Sequence, residues 1–310
     1  MRRDRGRTAR PALAALALAG TAAAATGCAV DEAPLPRPAS VQVRPAADLA
    51  ARVPAEYRAK GALVFALPQD PPYTIQDASG RLHGVLPDLT RALGTLLRLR
   101  IRTISTRTDA VVPGIQSGRF DLGAPMGDFV ERQRGADFAD FAQSRVTVLV
   151  KADGTFHPRR GLDLCGRTAG VENGANTQLV LKALSARCAR AGRPVVATKT
   201  FTELSQADLA LHSARLDTVV APTAPNSYAE SEGAGKFANI LLPDVTELPS
   251  ATATYGIIAK KHSGLAAAVA AALVRLDRDG TYAELFAHWN LRGSRIAARS
   301  LVVNGSTQHQ

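Results

Sequence analysis

Ala62-Leu-Val-Phe-Ala-Leu67 is a run without a charged or polar side chain, and such a run predicts a strand that is buried on both faces of a parallel sheet. A helix is predicted next, because Pro87 and Asp88 open a segment whose leucines recur on one helical face. The chain then returns as a predicted strand over Leu99–Ser105. This order of strand, helix and strand indicates a parallel sheet with crossover helices.

The same alternation recurs along the rest of the chain, and its order repeats after residue 160. Further helices are predicted at Asp109–Gln116, Asn176–Arg190, Phe201–Ser213, Leu265–Leu276 and Tyr282–Trp289. Further strands are predicted at Phe120–Leu122, Val146–Lys151, Thr168–Val171, Pro194–Thr198, Asp217–Ala221 and Thr252–Ala259. We therefore predict two similar α/β units with a cleft between them. Ligands of such folds bind in the crevice beyond the carboxyl ends of the strands.

The composition is that of an ordinary globular chain. Its 310 residues are 46% hydrophobic and 21% charged, which excludes a disordered or collagen-like chain and fits about two folded domains. Lys and Arg number 38 against 27 Asp and Glu, for a net charge of +11. Five arginines fall within the first ten residues, and the other basic residues form no run and are not interleaved with aromatic side chains. Nucleic acid is therefore not an expected partner.

The first 27 residues have the form of an export signal. A basic start is followed by an uncharged stretch over residues 11–25, which is too short to cross a hydrocarbon core of about 30 Å. The stretch leads into Ala25-Thr-Gly-Cys28, which resembles the lipobox of bacterial lipoproteins. The resemblance implies a signal peptide over 1–27 and a lipid anchor at Cys28 on the outer face of the cell membrane. The alternative is a plain secretory cleavage site beside a chance cysteine.

Residues 28–57 are predicted to be a tether between the anchor and the folded part. Five prolines fall in this segment, and proline at this density favours an extended chain. A short helix around Asp48–Arg52 is the one regular element that we expect there.

The remaining two cysteines, Cys165 and Cys188, are an even pair in an exported chain and predict a structural disulfide. A metal site is the competing interpretation, and it is disfavoured because no CxxC motif and no closely spaced histidines accompany them. No motif for an organic cofactor occurs either, so we expect neither metal nor cofactor.

Short motifs between residues 60 and 295 together resemble one known family. They are Asp70-Pro-Pro-Tyr73, Gly84-Val-Leu-Pro-Asp88, Ile115-Gln-Ser-Gly-Arg-Phe-Asp-Leu122, Leu164-Cys-Gly-Arg-Thr-Ala-Gly-Val-Glu-Asn-Gly174, Tyr255-Gly-Ile257 and Asp279-Gly-Thr-Tyr282. Their order is similar to that in the family 3 extracellular solute-binding proteins of ABC importers. The resemblance implies a type II periplasmic-binding-protein fold, with two α/β lobes, a hinge and a central cleft. It also implies a monomer that works with an ABC permease.

The resemblance places the two hinge crossings near Lys151 and Ala251. Lobe 1 is then expected to comprise residues 58–151 and 252–296, with lobe 2 at 152–251 between them. Residues 297–310 are expected to be a tail.

The resemblance also implies a set of ligand-binding residues, of which Arg132 is the first. It occupies the position that grips the ligand carboxylate in the family, and the fork of a guanidinium suits a buried carboxylate. A surface arginine paired with Glu131 is the alternative. Gly127 stands where the family often has Ser or Thr, so it keeps the backbone N–H and loses the hydroxyl. Asn176 and Thr177 stand at a helix N-terminus, which attracts anions, or else serve merely as its cap.

This sequence departs from the family's pattern where the α-ammonium group is usually held. Pro222 and Thr223 follow the lobe 2 strand at the point where an acidic residue is usual. We hypothesise that Asp70 supplies the missing negative charge from the opposite lobe; the alternative is that it merely begins a turn. Tyr73, which matches a more structural aromatic residue of the family, and Thr223 complete the set of candidate ligand contacts.

We therefore expect a lipid-anchored, extracytoplasmic receptor that captures a small polar solute bearing a carboxylate. An enzyme resembling cyclohexadienyl dehydratases is one alternative, with Glu172 or Asp70 as general acid, although nothing in the sequence marks either with a raised pKa. A sensor lipoprotein without a permease is the other. Catalysis is not expected.

Overall fold

The computed structural model describes residues 37–307. The predicted signal peptide, the lipidation site Cys28 and the first part of the tether lie outside the described residues. Within residues 37–307, no helix combines the length and the apolar character that crossing a membrane requires.

The described chain alternates helices and strands. The helices are α1 Ala47–Ala50, α2 Ala55–Ala59, α3 Val85–Leu97, α4 Thr108–Gln116, α5 Val130–Gln133, α6 Thr177–Arg190, α7 Leu204–His212, α8 Thr223–Glu232, α9 Pro243–Thr246, α10 Leu265–Arg278 and α11 Thr281–His288. The strands are β1 Leu63–Pro68, β2 Ile75–Gln76, β3 Leu82–His83, β4 Ile101–Thr106, β5 Leu122–Gly127, β6 Ala136–Lys151, β7 Thr168–Glu172, β8 Ala197–Phe201, β9 Thr218–Pro222, β10 Phe237–Ile240 and β11 Thr252–Lys260.

The main strands follow the order β4-β1-β5-β11-β6-β9-β7-β8, and β10 also pairs with β6. In the first half, β1 runs parallel to β4 and β5, whereas β11 is antiparallel to β5 and β6. In the second half, β7 runs parallel to β8 and β9, whereas β6 is antiparallel to β9 and β10. Each half is thus a largely parallel sheet with crossover helices, as the sequence predicts.

Strand β6 belongs to both halves of the molecule. Its residues 136–145 pair with β11, and its residues 146–151 pair with β9 and β10. The first crossing between the lobes therefore lies at Arg145–Val146, and its predicted position near Lys151 is wrong, because one unbroken strand passes from one sheet into the other. The returning chain lies beside it, since the Val146 N–H donates to the Ala251 oxygen at 2.8 Å.

The C-terminal helices pack on lobe 1. The Tyr282 hydroxyl donates to the Phe141 oxygen at 2.6 Å. Trp289 is buried, and its indole N–H donates to Asp88 Oδ2 at 2.8 Å. These bonds attach α11 and the turn after it to both β6 and α3.

The predicted tether is wrong over its described part, residues 37–57. Leu49, Val53 and Tyr57 are all buried in the lobe 1 core, and the Ala39 N–H donates to Asp88 Oδ2 at 2.8 Å. These three apolar side chains recur every fourth residue, so burying them against α3 and α10 outweighs the preference of the prolines for an extended chain.

The predicted tail is also wrong for residues 301–306. Leu301 is buried, and the Asp140 N–H donates to the Val302 oxygen at 2.9 Å. Val303 then forms a β-bridge with Ala139. This segment therefore pairs with β6 and is part of lobe 1.

In lobe 2, a disulfide joins Cys165 to Cys188, as predicted. Cys188 lies on α6 and is fully buried in the core of this lobe. The bond thus ties α6 to the chain just before β7.

Candidate functional site

The candidate site is the cleft between the lobes, at the carboxyl ends of β1, β5, β7 and β9. Its polar lining comes from both lobes and comprises Asp70, Thr108, Arg132, Glu172, Asn176, Thr177 and Tyr255. The space left in the cleft is about 40 Å³. Since one water molecule needs roughly 10–15 Å³ measured in this way, the lobes are nearly closed on one another.

Three hydrogen bonds cross the cleft and hold the lobes in this position. The Thr108 hydroxyl donates to Glu172 Oε1 at 2.9 Å. The Asn173 amide donates to Asp109 Oδ2 at 2.8 Å. Arg132 Nη2 donates to the Gly174 oxygen at 2.9 Å. Lobe 1 supplies one partner of each pair and lobe 2 the other, so these bonds must break when the cleft opens.

Arg132 lies on the single turn α5, directly after β5. Its guanidinium donates to two backbone oxygens, Gly127 O at 3.2 Å and Gly174 O at 2.9 Å, and lies over the ring of Phe129. No carboxylate among residues 37–307 forms an ion pair with it, so the alternative pairing with Glu131 is not formed. Burial lowers the pKa of Arg132, which marks a positive charge that lacks compensation. A ligand carboxylate is the group that would supply it.

Two carboxyl groups face the same cleft. Asp70 follows β1, and no donor or cation among the described residues contacts its side chain; burial raises its pKa to about 7. Glu172 is the last residue of β7, and its pKa rises to about 8, first through burial and then through the proximity of Asp70. Both shifts show that the charged forms of these acids lack a positive partner in the cleft.

Tyr73 does not reach the cleft, so its predicted contact with ligand is wrong. Its side chain is fully buried, and its ring packs edge-on against Phe141 at 6.1 Å and Tyr255 at 5.8 Å between centroids. The aromatic ring of Tyr73 thus packs in the core of lobe 1, where edge-to-face contacts with other rings are favourable. Tyr255, which Tyr73 supports, lines the cleft in its place.

Asn176 and Thr177 lie together in the cleft wall at the start of α6. The Asn176 amide donates to the Ser250 oxygen at 2.7 Å, and its side chain makes no cap for the helix. The Thr177 hydroxyl is buried, and no hydrogen-bond partner contacts it. Thr177 is therefore the polar group of this pair that is open to a ligand.

Gly127 lines the cleft, and its lack of a side chain has a steric cause. A Cβ atom at this position would lie 2.5 Å from Phe129 Cε2, closer than carbon atoms pack. The ring of Phe129 thus occupies the space that Ser or Thr would need.

Thr223 is not part of the cleft, so its prediction as a ligand contact is wrong. It begins α8, and its hydroxyl donates to the Arg145 oxygen at 2.8 Å. This contact turns the side chain toward the hinge strand β6. Pro222, one residue earlier, lines the cleft instead.

Comparison with known proteins identifies the family. The family model for bacterial extracellular solute-binding proteins, family 3, matches residues 63–292. The chain belongs to this family. The predicted membership and the predicted type II periplasmic-binding-protein fold are both confirmed.

Relatives of this family 3 protein include several whose names refer to arginine. The arginine-binding protein ArgT of Corynebacterium glutamicum is 27% identical over 251 residues, which is 80% of each chain. An ancestral arginine-binding protein bound to arginine has a TM-score of 0.65 and 26% identity, covering 74% of this chain and 98% of its own. The substrate-binding protein of an amino acid ABC transporter has a TM-score of 0.64 and 22% identity, covering 74% and 99%; it shows the shared fold.

The structure adds cleft residues that sequence reasoning did not assign to ligand binding in this family 3 protein. The sequence argument names Glu172 only as a general acid, yet Glu172 ends the parallel strand β7, and the carboxyl ends of such strands face the ligand crevice. That position could have identified it. Thr108 follows the parallel strand β4, so the same rule could have identified it, whereas Tyr255 lies in the antiparallel strand β11 and carries no such signal.

Proposed function

We propose that this protein is an extracytoplasmic receptor for a cationic amino acid, with arginine the first candidate, and that it delivers this solute to an ABC permease. One observation carries the proposal. The same cleft contains a guanidinium without an anion, Arg132, and two carboxyl groups without a cation, Asp70 and Glu172. An amino acid with a basic side chain has the complementary charges.

The carboxylate of the solute is assigned to Arg132. A carboxylate there would accept charge-assisted hydrogen bonds from the guanidinium. The unpaired Thr177 hydroxyl lies at the N-terminus of α6, where the helix dipole also favours negative charge. Both lobes thus contribute to the same end of the solute, and its binding favours closure.

The two positive groups of the solute are assigned to Asp70 and Glu172. Pro222 leaves no acid at the usual position for the α-ammonium group, and these two carboxyl groups are the acids that line the cleft. Each stands in a different lobe, so a cation between them would draw the lobes together. The arginine named for ArgT and for the ancestral protein supports this assignment.

Calorimetric titration at pH 8 tests the proposal. We expect arginine to bind most tightly, lysine more weakly, and glutamate not at all, because a second carboxylate would face Asp70 and Glu172. Arg134→Ala serves as a control, since Arg134 is exposed and lies two residues from Arg132. Tight binding of glutamate, or heats for no amino acid, would overturn the proposal.

The location is proposed from the sequence. We infer that Cys28 carries the lipid anchor and that the folded part stands outside the cytoplasmic membrane as a monomer. In cells, Cys28→Ala should move the protein from the membrane fraction to the medium or periplasm. Equal membrane association of both forms would refute the anchor, and light scattering of the purified protein tests the monomer.

A dehydratase-like enzyme is the second candidate, and one observation favours it. With a pKa of about 8, Glu172 is protonated at neutral pH, as a general acid must be; nothing in the sequence alone predicts this. One similar fold is an ancestral amino acid-binding protein described as a precursor of cyclohexadienyl dehydratase, with a TM-score of 0.63 and 24% identity. Formation of aromatic product from prephenate or arogenate, lost in Glu172→Gln, would favour this candidate over a receptor.

A further inference from the structure

We infer that residues 301–306, here called the C-terminal strap, position Arg132 for the ligand carboxylate. The inference rests on the proposed function, since it concerns the same end of the cleft. No residue of the strap lines the cleft. The strap acts through Asp128 and Gln133, which flank the turn that carries Arg132.

A closed set of hydrogen bonds links the strap to that turn. The Gln133 amide donates to Asp128 Oδ1 at 2.7 Å and to the Ser306 hydroxyl at 2.8 Å. The Ser306 N–H donates to Asp128 Oδ2 at 3.1 Å. Asp128 is 2% and Gln133 6% exposed. Because buried polar groups must be paired, loss of the strap would leave Gln133 and Asp128 with only their mutual bond and would take away the contacts that anchor them to β6.

The strap is itself fixed on β6. The Asn304 side chain accepts from the Phe138 N–H at 2.9 Å and donates to Asp137 Oδ1 at 3.0 Å. The Gly305 N–H donates to Asp140 Oδ2 at 2.9 Å. A Cβ atom at Gly305 would lie 2.4 Å from that oxygen, so this close approach requires glycine. Ser306 therefore reaches Asp128 from a rigid base.

The turn needs such support because it is short. Helix α5 is four residues long, and isolated helices of one turn are unstable in water. Arg132 must nevertheless reach both Gly127 O and Gly174 O. Fixing the residues on each side of it restricts where the guanidinium can lie, and a binding group that is already in place loses less entropy when the ligand arrives.

The strap lies outside the region that the family model matches, which ends at residue 292. The turn that it holds lies inside that region. The strap thus links a segment outside the matched range to the turn that carries Arg132.

The test uses the full chain with Asn304→Ala and Ser306→Ala combined. Its matched control is Arg299→Ala with Ser300→Ala, whose side chains form no hydrogen bond or ion pair with residues 37–307. Hydrogen exchange without ligand is measured first. We expect faster exchange over residues 127–134 in the strap variant and unchanged exchange over α6 in lobe 2. Unchanged exchange over 127–134 would overturn the inference, whatever the protein binds.

The affinity of the strap variant for two ligands then distinguishes a role in positioning Arg132 from a general destabilisation of the protein. Arginine is compared with agmatine, which is arginine without its carboxylate. We expect the strap variant to bind arginine roughly tenfold more weakly, equivalent to about 1.4 kcal/mol, with agmatine changed much less. Equal losses for both compounds would show a merely structural role and overturn the inference. Ser306→Ala alone, a milder change, should shift arginine in the same direction if the double variant folds poorly.

If the unaltered chain binds neither compound, the proposed function fails. The exchange measurement still decides whether the strap holds the turn.

Discussion

Arg132 of lobe 1 donates from Nη2 to the backbone oxygen of Gly174 in lobe 2, at 2.9 Å. This bond joins the lobes at the point where a helix N-terminus and a guanidinium face each other. A neutral carbonyl is a weaker partner for a guanidinium than a carboxylate. A solute that brings a carboxylate to this point therefore strengthens an existing contact between the lobes, which links binding to closure.

Removal of Arg132 should abolish tight binding. In Arg132→Ala we expect the affinity for arginine to fall by roughly 2–5 kcal/mol, because the solute's carboxylate is then buried without a partner. Arg132→Lys should recover only part of this loss. Its ammonium group keeps the positive charge but lacks the planar fork of a guanidinium. The check is calorimetry beside the Arg134→Ala control, and a dissociation constant that does not change would remove Arg132 from the site.

The two cleft acids should set the preference for positive charge. Asp70→Asn and Glu172→Gln should each weaken arginine at least tenfold, about 1.4 kcal/mol. Citrulline has a neutral urea in place of the guanidinium. Its affinity should therefore fall less than that of arginine in the variant that lacks the carboxyl group facing the side-chain cation. Glu131→Gln is the matched control, because Glu131 is exposed. If neither variant changes the ratio of the affinity for arginine to that for citrulline, these two acids do not recognise the side-chain cation.

Arginine should bind more tightly as pH rises. In the empty cleft the pKa of Asp70 is about 7 and that of Glu172 about 8, so at pH 6 both are largely protonated. A cationic solute binds the ionised forms, and binding therefore releases protons. For each acid that must ionise, affinity should fall by about tenfold per pH unit below its pKa and level off above pH 8. Calorimetry in buffers of different ionisation enthalpy measures the protons; affinity that is flat from pH 6 to 9 contradicts the assignment.

Asp140 should make the free energy of unfolding depend on pH. Burial, and next the nearby Asp128, raise the pKa of Asp140 to about 8, above that of an unfolded aspartate. A raised acid pKa stabilises the fold below the unfolded pKa, and this contribution is lost as pH rises through 8. The free energy of unfolding of Asp140→Asn, measured relative to the unaltered chain, should therefore increase by at least about 1.4 kcal/mol from pH 5 to pH 8.5.

Urea unfolding at the two pH values measures this difference. The exposed Glu247 supplies the control Glu247→Gln, which should show none. A difference that is the same at pH 5 and pH 8.5 would contradict the raised pKa.

The sequence predicts the strands correctly where apolar runs mark buried segments. It fails where polar contacts determine the structure. β1, β7 and β9 coincide closely with their predicted runs. The first half of β6 was missed, because Asp137 and Asp140 interrupt its apolar pattern; both instead bind the C-terminal strap. β8 was predicted at 194–198 and lies at Ala197–Phe201, since a largely exposed edge strand has little apolar signal.

The predicted site shows a similar division. Arg132, Gly127, Asn176, Thr177 and Asp70 all line the cleft. Tyr73 and Thr223 do not, because the first is drawn into the aromatic core and the second bonds to the hinge strand. The role of Glu172 depends on its distance from Asp70 across the closed cleft, and a single sequence does not contain that distance.

The most direct test is a crystal structure of the protein grown with arginine. We predict that the α-carboxylate lies on the Arg132 guanidinium and beside the Thr177 hydroxyl, with Asp70 and Glu172 each contacting a positive group. Arginine in the reverse orientation, or density for it away from this cleft, would contradict the account.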